Sequence, residues 1–258
     1  MNIDGTPRAA DAHHPPAGTP APAPPARRTL LRTALTGAAV LGAGLTIGAA
    51  PARAATPAGG TRPRPTTPED VLKELARGNR RWRTFREKHP DESPAVRKAL
   101  VSGQHPFAIV LGCIDSRVPP EHVFDQGLGD LMTVRTAGEV LDEAVLGSVA
   151  FGVLELGIPL VMVLGHQSCG AVRAAVEAEE SGERLPDHIQ YLADQITPAI
   201  DHTKEGDARV DATVDANVRL ITSRLAAEPD LAAEVDAGKL AIVSARYELD
   251  TYRVHQLD

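Results

Sequence analysis

Residues 107–117 read FAIVLGCIDSR, an apolar run that leads directly into a polar cluster. The run from Phe107 to Gly112 follows Pro106 and is continuously apolar, which is typical of a strand that is buried on both faces. Three similar runs come later in the chain, and they cover residues 131–134, 159–165 and 240–244. Strands of this kind occur in parallel sheets whose two faces are covered by helices.

Helical patterns lie before and between these strands. They cover residues 68–85, 94–101, 139–156, 168–180, 186–200 and 209–227. The first pattern is the clearest, because Thr67 can cap it, Pro68 suits its first position and acidic residues follow in its first turn. Strands that alternate with helices predict an α/β fold with a mainly parallel, Rossmann-like central sheet, flanked by helices and joined by right-handed crossovers. One domain over residues 67–258 accommodates all of these elements.

The N-terminal segment over residues 1–54 predicts an export signal. Arg27 and Arg28 precede a weakly apolar stretch, and the segment ends in Ala52-Arg53-Ala54, which resembles a signal peptidase site. This order matches a twin-arginine signal peptide. A membrane anchor is the alternative, but the stretch is shorter and less apolar than the roughly 20 residues of a spanning helix. We expect cleavage, a flexible linker over residues 55–66, and export to an extracellular, cell-wall or periplasm-like space.

The composition of the chain argues against two classes of partner. Residues 1–54 carry five arginines against two aspartates, so their removal takes the formal net charge from −7 to −10. An acidic chain with few aromatic residues and no basic cluster is not suited to binding nucleic acid or a membrane surface. We therefore expect no nucleic-acid partner, and no membrane association after cleavage of the signal.

Two reactive clusters each follow a predicted strand. Cys113, Asp115 and Arg117 follow the first strand, and His166 and Cys169 follow the third. In an open parallel sheet, ligand sites form outside the carboxyl ends of the strands, where two such clusters can meet. Two thiols and one imidazole suit zinc, and three protein ligands leave a fourth position open, as in catalytic zinc sites. The sequence therefore predicts a catalytic zinc ion held by Cys113, His166 and Cys169.

Asp115 and Arg117 are the predicted catalytic residues. Zinc lowers the pKa of its bound water to about 7, which makes hydroxide available at neutral pH. Asp115 lies two residues from a ligand and can align that water or accept its proton. Arg117 can hold Asp115 by a bidentate, charge-assisted pair. Cys169 starts a predicted helix, where backbone N–H groups favour the thiolate that zinc requires.

Each of these residues has a simpler interpretation when it is taken alone. A single cysteine after a strand is usually a small buried hydrophobe, and a single histidine is usually a core or surface residue. Two cysteines in an exported protein also suggest a Cys113–Cys169 disulfide. A thiol oxidoreductase is a further alternative, although the two cysteines lack the Cys-x-x-Cys spacing of redox thiols. The combination of three metal ligands, an acid and a guanidinium in two short motifs favours the metal site.

The two motifs resemble those of the β-class carbonic anhydrases, in which Cys-x-Asp-Ser-Arg is followed by His-x-x-Cys. Here they are residues 113–117 and 166–169. The resemblance runs from the first helix to near the C-terminus, and FDQGLGD at residues 124–130 is similar to actinobacterial members. Two residues, Thr136 and Glu139, differ from the asparagine that is common at their positions in the family.

The resemblance implies a β-carbonic anhydrase fold with an N-terminal helical arm that packs across a partner subunit, in a homodimer or higher homo-oligomer. It implies an enzyme, carbonate dehydratase, that reversibly hydrates CO2 to bicarbonate and a proton by attack of zinc-bound hydroxide. The same three residues are then the zinc ligands, and Asp115 and Arg117 are the catalytic dyad. Two alternatives stay open: a hydrolase of carbonyl sulfide or carbon disulfide on the same scaffold, and a non-catalytic module that binds zinc or bicarbonate.

The export signal has a testable consequence for the metal site. The twin-arginine route carries folded proteins, so both thiols can bind zinc in the reducing cytoplasm before they reach an oxidising compartment. Replacing Arg27 and Arg28 by lysine should retain active enzyme in the cytoplasm, as measured by CO2 hydration in separated cell fractions. Export of the double variant at the wild-type level would contradict the twin-arginine assignment.

Overall fold

The computed structural model of the protein describes residues 63–258. The predicted signal peptide and most of the predicted linker lie outside these residues. In chain order the helices of this region are α1 (Pro68–Arg83), α2 (Pro94–Leu100), α3 (Pro120–Val123), α4 (Glu143–Leu154), α5 (Gly170–Ser181), α6 (Asp187–Ile196), α7 (Gly206–Ala227) and α8 (Pro229–Asp236). The strands are β1 (Ala108–Cys113), β2 (Leu131–Thr136), β3 (Leu160–His166), β4 (Ala241–Tyr247) and β5 (Val254–Gln256). Short 3-10 turns follow β2 (Ala137–Glu139) and α6 (Thr197–Ala199).

The strands form one sheet in the order β2-β1-β3-β4-β5. β1 pairs in parallel with β2 and with β3, β3 pairs in parallel with β4, and β5 is antiparallel to β4. Every residue of β1 and β3 is buried, as their continuous apolar runs predict. The predicted α/β fold with a mainly parallel central sheet is confirmed. The sequence did not predict β5, because three residues are too few for a strand pattern.

The central strands contribute to two core layers, one on each face of the sheet. Successive side chains of a strand point to opposite faces. Val110 and Met162 therefore pack in one layer with α1, α5 and α6. Ile109 and Val163 pack in the other layer with α4, α8 and the C-terminal half of α7. β1 and β3 are thus fixed from both sides, and so are the residues at their carboxyl ends.

Helix α1 packs closely against the segment that follows α3. Its N-terminus is capped by Thr67, whose hydroxyl accepts the Asp70 N–H at 3.2 Å, and Leu75 is buried in the core. Gly78 permits the close approach, because a Cβ atom at this position would lie 1.7 Å from the carbonyl oxygen of Phe124. Helix α1, the predicted N-terminal arm, therefore packs against the domain of its own chain.

Contacts with the folded domain begin before α1. Arg64, in the predicted linker, donates from Nη1 to the carbonyl oxygen of His105 at 2.6 Å and to that of Gly129. Its Nη2 lies 3.2 Å from the buried carboxylate of Asp130. The end of the predicted linker is thus attached to the domain a few residues before Thr67.

The predicted helix over residues 139–156 begins four residues later, at Glu143. Gly138 and Glu139 have φ angles of 66° and 55°, and this left-handed backbone cannot continue into a right-handed helix. The helix starts instead where the Asp142 carboxylate accepts the Val145 N–H at 2.9 Å. The short helices α3 and α8 were not predicted. Among residues 63–258, no helix has both the length and the apolar composition needed to span a bilayer.

Gly78→Ala should destabilise the protein, because the new Cβ atom would overlap the Phe124 carbonyl group. We expect a loss of about 1–3 kcal/mol in the free energy of unfolding, measured by urea denaturation. Gly147→Ala is the matched control, because Gly147 is also helical and a Cβ there meets open space. The control should gain about 0.5–1 kcal/mol through the higher helix propensity of alanine. Equal effects of the two substitutions would contradict the close packing of α1.

Candidate metal centre

Three metal-ligating side chains meet at the carboxyl end of the central strands. Cys113 is the last residue of β1, His166 is the last residue of β3, and Cys169 is the N-cap residue of α5. Because β1 and β3 are neighbours, their ends lie side by side. One ligand atom from each of the three residues lies within 4.8 Å of the other two, and all three residues are buried. The cluster is able to bind a metal ion.

The His166 ring is oriented for metal binding through Nε2. Its Nδ1 atom lies 2.9 Å from the carbonyl oxygen of Gln167. A carbonyl oxygen only accepts hydrogen bonds, so Nδ1 carries the proton and Nε2 has a free lone pair. Within residues 63–258, Nε2 is buried and has no hydrogen-bond partner. A buried polar atom without a partner is unfavourable, and a metal ion in the cluster would satisfy it.

The two sulfur atoms lie 3.9 Å apart and are not joined by a disulfide. The hydrogen bond between them lowers the pKa of Cys113 and raises the pKa of Cys169, and burial raises the pKa of Cys169 further. By themselves, the two sulfurs therefore share one proton. A divalent cation between them would stabilise both sulfurs as thiolates, so that neither needs the shared proton.

The donor set fits zinc. Two thiolates and one imidazole are ligands that Zn²⁺ prefers, whereas Mg²⁺ and Ca²⁺ prefer oxygen ligands. Three protein ligands leave one position of a tetrahedron open, which is the pattern of catalytic rather than structural zinc sites. The unpartnered Nε2 of His166 and the two closely spaced sulfurs are the features of the structure that agree with this choice.

Asp115 and Arg117 form a tight pair beside the cluster. Arg117 donates from Nε to Oδ1 at 2.9 Å and from Nη2 to Oδ2 at 2.6 Å, and its backbone N–H also donates to Oδ1. These hydrogen bonds lower the pKa of the Asp115 carboxyl to about 2. The Oδ2 atom lies 3.9 Å from Nε2 of His166. An ionised carboxylate therefore faces the metal-binding cluster, and a half-exposed guanidinium holds it there.

Two further side chains fix the loops that carry these groups. Arg135, on β2, donates from Nε to the carbonyl oxygen of Cys113 at 2.8 Å and from Nη2 to that of Asp115 at 2.7 Å. Gln167 accepts the backbone N–H groups of Leu249 and Asp250 at its Oε1 atom, which ties the second loop to the segment after β4. The geometry of the site is thus held by β2 and by the C-terminal hairpin.

The structure brings together all of the site residues that the sequence predicts, namely Cys113, Asp115, Arg117, His166 and Cys169. Sequence reasoning did not identify the supporting roles of Arg135 and Gln167. These residues act on backbone atoms of distant segments, and no short motif encodes such contacts. The one signal in the sequence was their position: Arg135 lies near the end of a predicted strand, and Gln167 lies within the second motif.

Comparison with known proteins agrees with this geometry. A family model described as carbonic anhydrase matches residues 108–254. Carbonic anhydrase 2 of Mycobacterium tuberculosis is 41% identical over 190 residues, which cover 73% of this chain and 92% of that protein.

Solved structures with the same fold include the β-carbonic anhydrase CcaA, at a TM-score of 0.59 and 23% identity over 72% of this chain and 95% of that one. They also include tetrameric β-carbonic anhydrases of Sordaria macrospora, at a TM-score of 0.59 and 18% identity over 73% of this chain and 97% of the matched one. The expectation of a carbonic anhydrase enzyme is confirmed by the family model and the mycobacterial relative. The chain belongs to the β-carbonic anhydrase family.

Proposed function

We propose that this carbonic anhydrase is a zinc enzyme that reversibly hydrates CO2 to bicarbonate and a proton. Cys113, His166 and Cys169 are its zinc ligands, and Asp115 and Arg117 are its catalytic residues. One observation carries the proposal: an ionised, Arg-held carboxylate faces a buried Cys2His cluster whose histidine nitrogen has no other partner in the described region. Membership of the β-carbonic anhydrase family supports it.

A zinc ion at this cluster would supply a Lewis acid that lowers the pKa of a bound water to about 7. The protein residues prepare the site for that ion. Cys113 and Cys169 provide two negative charges in a buried position. His166 provides a neutral nitrogen whose direction is set by the hydrogen bond between Nδ1 and the Gln167 carbonyl oxygen.

Asp115 acts as the hydrogen-bond acceptor of the site. Its low pKa keeps the carboxylate ionised throughout the neutral range. The Oδ2 atom lies 3.9 Å from Nε2 of His166, so it can orient a reacting water by accepting its hydrogen bond. Arg117 bonds to both carboxylate oxygens and to the carbonyl oxygen of Ser168 at 3.4 Å. It therefore keeps Asp115 in place and prevents the carboxylate from turning onto the open metal position.

We also propose that the enzyme is an exported homo-oligomer. Ile114 is 59% exposed between a proposed ligand and Asp115, and Phe151 is 52% exposed on α4. Large apolar side chains with this exposure are suited to contact with another subunit. The Sordaria macrospora structures are described as tetrameric, which supports assembly of this family into oligomers. The twin-arginine pair at Arg27 and Arg28 supports export.

Two substitutions separate metal binding from catalysis. Cys113→Ser should lose zinc and CO2 hydration together, because a serine hydroxyl is a poor zinc ligand. Asp115→Asn should retain zinc but lose about 10²- to 10⁴-fold in kcat, because a neutral amide no longer offers a negatively charged acceptor to the reacting water. Zinc is measured by elemental analysis of the purified protein and hydration by stopped-flow. Asp187→Asn is the matched control, since this aspartate is exposed on α6 far from the motifs in sequence, and both readouts should be unchanged.

The same measurements distinguish the alternative functions. The pKa expected for the bound water is about 7, so activity should appear between about pH 6 and 9. A wild-type protein that contains zinc but is inert toward CO2 over this range would favour a non-catalytic binding module. Faster turnover of carbonyl sulfide than of CO2 would favour the hydrolase. Full activity of Asp115→Asn would contradict the role of the carboxylate.

A further inference from the structure

A backbone N–H group donates a hydrogen bond to the sulfur atom of one of the proposed zinc ligands. Gly138, in the turn after β2, donates its N–H to the sulfur of Cys113 at 3.4 Å. The residue is buried and its φ angle is 66°. A Cβ atom at this position would lie 2.8 Å from Ile196, so the turn fits closely between α5, α6 and the end of β1. The peptide group is therefore held at a fixed distance from the thiolate.

Helix α7 holds the carbonyl group of the same residue, which belongs to the following peptide group. Asn217 is fully buried on α7, and its Nδ2 atom donates to the carbonyl oxygen of Gly138 at 2.8 Å. The Asn217 side chain also forms a hydrogen bond with the carboxyl group of Glu139. The Asn217 side chain thus connects α7 to the turn that touches Cys113.

Glu139 is an unusual residue for this turn. It is 1% exposed, its φ angle of 55° is left-handed, and the described residues give it no ion pair. Burial, together with the negative charge of Cys113, raises the pKa of Glu139 well above its ordinary value. Both effects favour the neutral acid, and the hydrogen bond with Asn217 opposes them.

A neutral carboxyl would complete the pair. The Oδ1 atom of Asn217 is buried and has no hydrogen-bond partner within the described residues, and the same is true of Oε1 of Glu139. A proton on the Glu139 carboxyl group would supply a donor for such an acceptor. Left-handed backbone and a buried acid both oppose folding, and features of this kind concentrate where geometry serves function.

On the basis of the zinc site proposed above, we propose that Asn217 and Glu139 are positioning residues of the reaction. They hold the Gly138 N–H on the Cys113 sulfur and thereby limit the negative charge that this sulfur gives to the metal. Two thiolates neutralise most of the charge of a zinc ion. A hydrogen bond to one sulfur withdraws electron density from it and leaves the metal a stronger Lewis acid.

The test uses the full chain with Co²⁺ in place of zinc, because thiolate-to-cobalt charge-transfer bands report directly on the sulfur. Asn217→Ala removes the donor to Gly138 and should move the near-ultraviolet band to longer wavelength, since a sulfur without its hydrogen bond is more easily oxidised. In the zinc-loaded variant, the midpoint of the pH profile of kcat/KM should rise, and activity at pH 7 should fall by about 10- to 100-fold.

Two controls separate positioning from a general loss of stability. Ile221→Ala, on the same helix in the second core layer, removes core packing but no contact with the turn, so its band and midpoint should match the wild type. Glu139→Ala should shift the band in the same direction as Asn217→Ala, whereas Glu139→Gln, which resembles the neutral acid, should restore the wild-type band. If Asn217→Ala does not fold, the comparison of Glu139→Ala with Glu139→Gln tests the positioning role instead.

An unshifted band and midpoint in Asn217→Ala, or in Glu139→Ala if Asn217→Ala does not fold, would overturn the positioning role even if activity falls. A wild-type protein that takes up Co²⁺ without thiolate bands would instead overturn the proposed metal site, and the positioning role with it. Failure of the positioning role therefore leaves the thiolate-to-cobalt bands unshifted, whereas failure of the proposed metal site leaves them absent.

Discussion

The parallel pairing of β1 with β3 places the chemistry of this protein. The register sets Gly112 opposite Leu164, so both strands end at the same edge of the sheet and bring Cys113 and His166 together. Both strands are buried on two faces, and neither end can move without disturbing a core layer. The distance between two proposed ligands is therefore determined by the hydrogen bonds of the sheet and by core packing, and the third, Cys169, lies three residues after His166 at the N-cap of α5.

The proposed catalytic groups are placed by side-chain hydrogen bonds, whereas two of the proposed metal ligands are placed by the sheet. Asp115 and Arg117 lie on the loop after β1, and their mutual hydrogen bonds define where the carboxylate faces. Arg135 supports that loop through two carbonyl oxygens.

The sequence was sufficient for the four parallel strands of the sheet and for the positions of the proposed ligands. Continuous apolar runs predicted β1 and β3, and the two motifs stand at their ends, so Cys113 and His166 were placed by a local pattern alone. It was not sufficient for the turn after β2, where a helix was predicted from Glu139. The left-handed turn is stabilised by Asn217, which is 79 residues away from Gly138, and no local pattern reports a contact of that range. The predictions failed where backbone conformation depends on distant partners.

Zinc K-edge X-ray absorption of the purified wild-type chain tests the central claim most directly, because it counts the atoms bound to the metal. We expect one zinc ion per chain with two sulfur ligands at about 2.3 Å and nitrogen or oxygen ligands at about 2.0–2.1 Å. Those ligands would correspond to Cys113, Cys169, His166 and one oxygen from solvent. Absence of zinc, or a zinc ion without two sulfur ligands, would contradict the account.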